Sequence, residues 1–236
     1  DEAITVAGTF GGNAITLGSN IDIKLETVGS TAGSGINLVV AGPVPQPIAI
    51  ETSGSGSIEL RTAGESQHIV ASTLATLGGT ITLHAEGQVT VDNAHIESNG
   101  GNITIEGGSL SLYSGSGVYI HSGSQILGGT GNVTIKGASY AEPGVKIESA
   151  ASPAPATVVS GAGVTITGTT GMGATSLHLK NAQVNATQSL RLATTDAELL
   201  LEASSLQNTG TGLTELKASG TTAPKLTVDA DSQISN

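Results

Sequence analysis

Apolar and polar residues alternate in short segments along the chain, and these segments begin with glycine. In residues 101–105, Gly101 and Asn102 precede Ile103 and Ile105, with Thr104 between the two isoleucines. An apolar residue at every second position is typical of a β-strand that buries one face, because successive side chains of a strand point to opposite sides. The same pattern recurs at residues 12–17, 56–60, 79–83, 131–135 and 163–166.

The spacing of these segments predicts a solenoid. The intervals are 23 residues from Ile58 to Ile81, 22 from Ile81 to Ile103 and 21 from Ile15 to Ile36. Hairpin proteins instead show turns roughly every 8–12 residues without a higher period. A period of about 22 residues predicts about ten or eleven coils in the chain, stacked into a rod of roughly 50 Å at the spacing of paired strands.

One predicted coil, residues 79–100, shows how the chain closes on itself. It contains three alternating segments, at residues 80–84, 88–92 and 94–98. Three strands per coil predict an all-β fold, a right-handed parallel β-helix with three faces, in which each strand pairs with its counterpart one coil away. We expect glycines to supply the positive φ angles of the corners. The residues predicted to point inward are Ile81, Leu83, Val89, Val91 and Ile96.

Residues 197–205 are ambiguous between helix and strand. Their alanine, leucine and glutamate content favours a helix by propensity. The alternation of Leu190, Arg191 and Leu192 just before them favours a strand. We therefore expect a strand with Leu199 and Leu201 inward.

The composition changes the picture of the core and the surface. The chain is 37% hydrophobic but only 2% aromatic, so small aliphatic side chains must fill a thin core. Charged residues make up 11% of the 236 residues, against about 25% in typical soluble domains, which leaves serine, threonine, asparagine and glycine to cover the surface. We expect a single β-helix domain over residues 1–236.

Proline-rich stretches mark two insertions, near residues 41–50 and 150–158. Residues 41–47 contain three prolines, and residues 152–155 contain two. Proline has no N–H for a central ladder, so we expect both stretches to be loops extruded from the solenoid. Loops on a rigid scaffold often bind ligands. The candidate binding residues are Pro43, Pro45, Gln46, Pro153 and Pro155.

Strand starts of the Gly-Asn-Ile-Thr-Ile type, in an acidic chain without cysteine, resemble the filamentous haemagglutinin family of Gram-negative two-partner secretion exoproteins. The resemblance implies a secreted or cell-surface adhesin and export through an outer-membrane transporter partner. It also implies roles in adhesion or biofilm formation. No asparagine here is followed by proline, so the secretion-domain motif of that family is absent. We therefore expect an internal shaft segment of a longer exoprotein, flanked by neighbouring coils of the same polypeptide.

Charge and motifs argue against several other functions. The net charge is −11 with eight scattered basic residues, which disfavours nucleic acid as a partner. No Gly-x-Ser-x-Gly segment occurs, and the five histidines show no metal-ligand spacing. Asp229 and Asp231 are expected to share one face of a strand as a solvated pair. We predict no catalytic residues, no metal site and no cofactor, and hence no enzyme.

Two further groups of residues are candidates for binding or modification. The rings of Tyr113, Tyr119 and Tyr140 are candidates for stacking on sugars, because aromatic residues combine apolar faces with a polar tip. Three asparagines match the Asn-x-Ser/Thr glycosylation pattern, although asparagine also suits the corner before a strand. They are Asn102, Asn132 and Asn185.

The function predicted from these observations is a rod-like adhesin segment that binds a host-cell or matrix receptor, a glycan or a biofilm partner. Two alternatives stay open. One is a β-helix enzyme that hydrolyses or cleaves glycans, which needs acids grouped in a groove. The other is an ice-binding solenoid, because Thr82, Thr104 and Thr134 are expected to stack in one column.

Overall fold

The computed structural model describes residues 54–236 except 65–67, 112–114, 151–154, 173 and 221–223. Before residue 54 it describes the strand segments 4–5, 14–17, 23–27, 35–37, 39–40, 46–47 and 49–52. The described residues form strands and no helix, and the strands pair almost entirely in parallel, as a β-solenoid. The predicted parallel β-helix with three faces is therefore confirmed.

The strands of successive coils pair side by side in three stacks, one for each face of the solenoid. Along the chain, a coil contributes one strand to the first stack, then one to the second and one to the third. The strands are numbered in chain order. The first stack contains β3 (Ile23–Thr27), β8 (Ile58–Thr62), β11 (Ile81–Ala85), β14 (Ile103–Gly107), β17 (Val133–Ser139), the later parts of β19 (Thr157–Thr170) and β21 (Ala182–Thr195), and β24 (Thr214–Ser219).

The second stack is a nine-stranded sheet of short strands. It contains β1 (Ile4–Thr5), β4 (Gly35–Asn37), β9 (His68–Ala71), β12 (Val89–Asp92), β15 (Val118–His121), β18 (Val145–Glu148), β20 (Thr175–Lys180), β22 (Glu198–Glu202) and β25 (Leu226–Val228).

The third stack joins the first through two long strands that bend around the corner, β19 and β21. It contains β2 (Ala14–Leu17), β7 (Ala49–Thr52), β10 (Thr73–Ala75), β13 (His95–Glu97), β16 (Gln125–Leu127), the early parts of β19 and β21, β23 (Ser205–Asn208) and β26 (Gln233–Ser235). Outside the stacks, β5 (Val39–Val40) and β6 (Gln46–Pro47) form an antiparallel hairpin.

Aliphatic ladders fill the core, as the alternation predicts. The five residues expected to point inward in the coil of residues 79–100 are all fully buried. In the first stack, Ile58, Ile81, Ile103 and Val133 follow one another in register. Buried leucines at positions 199 and 201 confirm the strand predicted there.

The prediction of ten or eleven coils of 22 residues is wrong. The solenoid has about seven turns of about 26 residues, and the nine strands of its second stack span roughly 38 Å. One inward column of the first stack, which runs from Ile23 to Thr214, has intervals of 35, 23, 22, 30, 31, 26 and 24 residues. Corner insertions lengthen most coils without changing the register of the strands.

One interval of the predicted repeat is also corrected, and the roles of its glycines are separated. Ile15 lies in the third stack beside Ile50, and Ile36 lies in the second stack, so their 21-residue interval is not a coil. Glycines do supply positive φ angles at the corners, as predicted, for example Gly78 and Gly100. The glycines that open the repeated segments, such as Gly79 and Gly101, are not in this group. Their role is to lack a β-carbon where adjacent coils touch, because added β-carbons would lie 2.0 Å or less from a carbonyl oxygen of the preceding coil.

Candidate functional site

The outward face of the second stack carries a cluster of aromatic and charged side chains. Alternation along β15 buries Val118 and Ile120 and turns Tyr119 and His121 outward. The next strand, β18, likewise buries its valine and isoleucine. Register then places Lys146 beside Tyr119 on the neighbouring coil.

Tyr119 is held from three directions. Its hydroxyl donates a hydrogen bond to the Glu148 carboxylate. The His121 ring stacks on it, with the centroids 4.1 Å apart and the planes at 15°. The Lys146 ammonium lies 5.1 Å from the tyrosine ring centroid and donates to Glu148 at 3.0 Å. These contacts fix the ring at the wall of the solenoid before any ligand arrives.

The same contacts change two pKa values in opposite directions. Burial raises the pKa of Tyr119 to about 12, and the hydrogen bond to the Glu148 carboxylate adds to the rise. Burial alone would raise the pKa of Glu148. Hydrogen bonds from Tyr119 and Lys146 outweigh burial and hold that carboxyl pKa below its ordinary value. Tyr119 therefore stays neutral and Glu148 stays ionised around neutral pH.

Ion pairs continue the cluster along the axis of the rod. The His121 ring lies 3.3 Å from the Asp92 carboxylate on the preceding coil. On later coils, Glu202 lies 2.8 Å from the His178 ring and 3.7 Å from the Lys180 ammonium. Acidic and basic side chains thus alternate from coil to coil along this column.

A shallow groove, here called the corner groove, borders this cluster. Its first part is a depression of about 420 Å³ on the second stack. Its second part, about 310 Å³, crosses the corner onto the third stack and shares Ala150 and Asn181 with the first. The polar side chains that line the two parts include Tyr119, His121, Glu148, Lys180, Asn181, Gln183, Asp231 and Gln233.

Both proline-rich insertions leave the solenoid at the same corner, between the second and third stacks. The hairpin of β5 and β6 lies between β4 and β7, and residues 149–156 lie between β18 and β19. Four steps of the third stack separate them, which is about 19 Å at the spacing of paired strands. The second insertion directly borders the corner groove, because Ser149, Ala150 and Ala156 line it.

The structure describes only some of the predicted binding residues in these insertions. Pro43, Pro45 and Pro153 lie outside the described residues. Gln46 belongs to β6, so the first insertion is a paired hairpin and not only a loop. Pro155 is exposed and packs over the corner at Gly123, where a β-carbon would lie 2.7 Å from the proline ring.

The tyrosines do not form one surface. Tyr119 lies in the corner groove, with one ring face covered by His121. Tyr140 is 41% exposed at a different corner, between β17 and β18. Tyr113 lies outside the described residues. Sugar stacking by Tyr119 or Tyr140 remains a prediction.

The candidate glycosylation sites lie at the corner between the third and first stacks and within the third stack. Asn102 accepts a hydrogen bond from the backbone N–H of Asn132 at 2.9 Å, and Asn132 accepts one from Gly163 at 3.0 Å. Both side chains therefore tie one coil to the next at the corner, as asparagine commonly does in turns. Asn185 lies half-buried in β21. Modification of these three asparagines remains a prediction.

Threonines form the expected column on the first stack, since Thr82, Thr104 and Thr134 are neighbours in register. The column two residues further along each strand is charged, because it contains His84, Glu106 and Lys136. A two-column threonine array is therefore missing from these coils. This observation does not favour the ice-binding alternative.

The charged column of the first stack is a network of polar contacts that lines a further depression of about 400 Å³. His84 lies 3.5 Å from Glu86 and 3.4 Å from Glu106, and Lys136 donates to Glu106 at 2.8 Å. The hydrogen bond from Lys136 lowers the pKa of Glu106 in spite of its partial burial. The general acid of glycan hydrolysis needs a raised carboxyl pKa, so Glu106 is not suited to that role.

The predicted aspartate pair is not in a strand. β25 ends at Val228, and Asp229 accepts hydrogen bonds from the Ser232 hydroxyl at 2.6 Å and the Ala203 N–H at 2.9 Å. Asp229 therefore caps a turn, and Asp231 lies at the groove instead. Among the described residues, no group of three or more histidines or acids is placed to hold a metal ion. The same part of the chain contains no helix with the length and hydrophobicity to cross a membrane.

The sequence alone missed most of this site. The sequence pattern that could have indicated this site is two charged or ring-bearing polar residues that flank one aliphatic residue in a strand. Lys146-Ile147-Glu148 and His178-Leu179-Lys180 have this pattern. Which of these polar pairs lie side by side on adjacent coils depends on the lengths of the corner insertions. The periodicity of the sequence did not reveal those lengths. The chain is defined by its fold as a parallel β-solenoid. Comparison with protein-family models, curated proteins and solved structures finds no match for it.

Proposed function

We propose that this chain is a shaft segment of a secreted or cell-surface adhesin, which presents a binding surface for host cells, glycans or biofilm partners and does not act as an enzyme. The main support for the proposal is that both insertions occur at the same corner of the rod. Two insertions leave the rod between the same two stacks, and one of them borders a groove lined by fixed polar and aromatic side chains. Ligand sites of rigid scaffolds typically lie beside such loops.

The packing of the rod supports the same proposal. Continuous aliphatic ladders run through the core and fix the strands, so the outward side chains of the groove keep their positions without a ligand. Such preorganisation lowers the entropic cost of binding. The resemblance to filamentous haemagglutinin exoproteins supports presentation at a cell surface and export through an outer-membrane transporter.

Binding of the purified chain to a glycan array and to epithelial cells tests the proposal. The first variant deletes residues 150–156. Ile147 and Val159 occupy the same register positions as Val91 and Ile96 of an earlier coil, which has a short corner. The deletion leaves the same number of residues between Ile147 and Val159 as between Val91 and Ile96. We expect the deletion to abolish binding while circular dichroism shows an intact fold.

A matched pair of point variants refines the test. Gln183 and Gln207 are both exposed on the third stack, but only Gln183 lines the groove. We expect Gln183→Ala to weaken binding several-fold and Gln207→Ala to leave it unchanged. Binding that survives both the deletion and Gln183→Ala would contradict the proposed surface. Release of sugar fragments by the wild type, lost in Glu148→Gln, would instead establish an enzyme.

A further inference from the structure

The two parts of the corner groove differ in how much of their hydrogen-bonding capacity is already used. On the second stack, every polar side chain that lines the groove has a partner within the described part of the chain. Tyr119 bonds to Glu148, for example, and Asn181 donates to the Ser149 carbonyl at 3.1 Å. This part of the groove is therefore a fixed wall whose polar groups are largely occupied.

The part on the third stack has free polar groups. Register places Gln183, Ser205 and Gln233 in one outward column on three successive coils, and all three line the groove. Their side chains, and that of Asp231 in the same depression, have no hydrogen-bond or ion-pair partner among the described residues. A ligand in this part of the groove therefore meets three uncharged polar groups and one carboxylate.

The chemistry of these groups favours a ligand rich in hydroxyls. A glutamine amide has one acceptor oxygen and two N–H donors, a serine hydroxyl both donates and accepts, and a carboxylate only accepts. Sugar hydroxyls suit all three kinds of partner, because each hydroxyl can donate and accept. Small apolar side chains line the same depression, and the C–H face of a pyranose ring can pack against them. They are Ala150, Ala156, Ala182 and Ala203.

The charges around the groove select against acidic sugars. The carboxylates of Glu148 and Asp231 both line it. The lysine that lines it, Lys180, already lies 3.7 Å from the carboxylate of Glu202. A uronate or sulfate group in the groove would therefore meet like charge from two carboxylates, which is unfavourable. The net charge of −11 acts in the same direction.

The column also sets the direction of the ligand. Its members are spaced about 5 Å apart along the rod, the distance between paired strands. A pyranose ring in an extended glycan is about as long as this step, so successive rings can face successive coils. An extended peptide would instead pair with a free strand edge, and β21 and β23 are paired on both sides. The column therefore fits an oligosaccharide better than a peptide strand.

We propose that the corner groove binds an uncharged oligosaccharide that runs parallel to the rod axis, with three successive rings over the column of Gln183, Ser205 and Gln233. Asp231 accepts hydrogen bonds from the sugar hydroxyls and repels acidic sugars. This inference rests on the proposed function, because it names the ligand class of the same surface.

Isothermal titration calorimetry with neutral and acidic tetrasaccharides tests the ligand class. The neutral probes are cellotetraose, a matrix-type glycan, and lacto-N-neotetraose, a host-type glycan, and the acidic probe is tetragalacturonate. We expect at least one neutral probe to bind, and tetragalacturonate to bind at least about 10-fold more weakly. The neutral probe that binds more tightly identifies the source of the ligand.

The outcomes separate this inference from the proposed function. Equal or tighter binding of tetragalacturonate, or binding to epithelial cells without binding to either neutral probe, would overturn the inference and leave the adhesin in place. A chain that binds neither cells nor any glycan would overturn both.

Added charge tests the column. Gln183→Lys places a cation in the groove and should strengthen binding of tetragalacturonate about 10-fold. Gln207→Lys makes the same change on the third stack outside the groove, and should leave that binding within about 2-fold of wild type because salt screens the more distant charge. Asp231→Asn keeps an acceptor and removes the charge, so it should narrow the difference between the neutral and acidic probes. An equal gain in both lysine variants would contradict the proposed column.

Discussion

Gly101 packs so closely on Gly79 of the preceding coil that a β-carbon on Gly101 would lie 1.9 Å from the Gly79 carbonyl oxygen. The same relationship repeats between Gly131 and Gly101 at 2.0 Å. These glycines form a column at the corner between the third and first stacks. Backbone contact between coils is therefore direct at this corner, and no side chain separates the coils.

Gly101→Ala should lower the free energy of unfolding by about 3 kcal/mol, at the upper end of the range for overpacking, because the obstructing atoms belong to the backbone. Urea denaturation followed by circular dichroism measures the change. Thr80→Ala, an exposed substitution at a nearby position, should change stability by less than about 0.5 kcal/mol. Equal stability of the Gly101→Ala variant and the wild type would show that the coils separate easily at this corner.

Ala203→Gly should stabilise the protein. Ala203 has a φ of +46°, a left-handed conformation that costs a residue with a β-carbon about 1 kcal/mol. Removing the β-carbon relieves that strain, while glycine loses some entropy on folding, so we expect a net gain of roughly 0.5 kcal/mol. Thermal unfolding measures it. Ala138 lies in β17 and does not have a positive φ. Ala138→Gly should therefore lower the stability of the protein.

Glu148 should make stability depend on acid pH. Its folded pKa is lowered from 4.5 by Tyr119 and Lys146, so its contribution is complete above about pH 4.5 and is lost as the pH falls through the folded value. Glu148→Gln should cost about 1 kcal/mol at neutral pH, because the carboxylate is partly exposed. It should also flatten the acid limb of the stability curve. Glu142→Gln, at an exposed corner position, is the control and should leave that limb unchanged.

Tyr119 should ionise late. Its pKa of about 12, against an ordinary value of 10.0, means that its contribution to stability is intact below pH 10 and is lost as the pH rises through about 12. Ultraviolet titration of the folded protein should show one phenolic transition near pH 12. Tyr119→Phe should remove that transition and Tyr140→Phe should keep it. A late transition that persists in Tyr119→Phe would assign it to another residue.

The fold could be predicted because the alternation of apolar and polar residues is a pattern within each strand. Alternation places Ile81, Leu83 and Val89 inward whatever their distant neighbours are. The number of coils was not predictable in the same way. Ile58, Ile81 and Ile103 happen to lie in the two shortest coils, and the longer coils differ by corner insertions that carry no periodic signal.

The candidate site depends on the register between coils, so the sequence showed only parts of it. Tyr119 was a candidate for its aromatic ring, but its partner Glu148 lies 29 residues later. That interval includes the three corners of one coil, and no local pattern sets their lengths. The role of Gly101 could not be predicted for a related reason, because the close approach of Gly79 arises only when coils stack.

The shared corner has a practical consequence for protein engineering. The strands on both sides of the corner between the second and third stacks pair in register whether that corner holds two residues, as at positions 93–94, or the eight of positions 149–156. A residue added within a strand would turn each following side chain to the wrong face, whereas a residue added at this corner leaves the ladders unchanged. Foreign peptides grafted there, one for each coil, would be displayed in a row about 5 Å apart along a single line. The rod is therefore a suitable scaffold for arrays of epitopes at defined spacing.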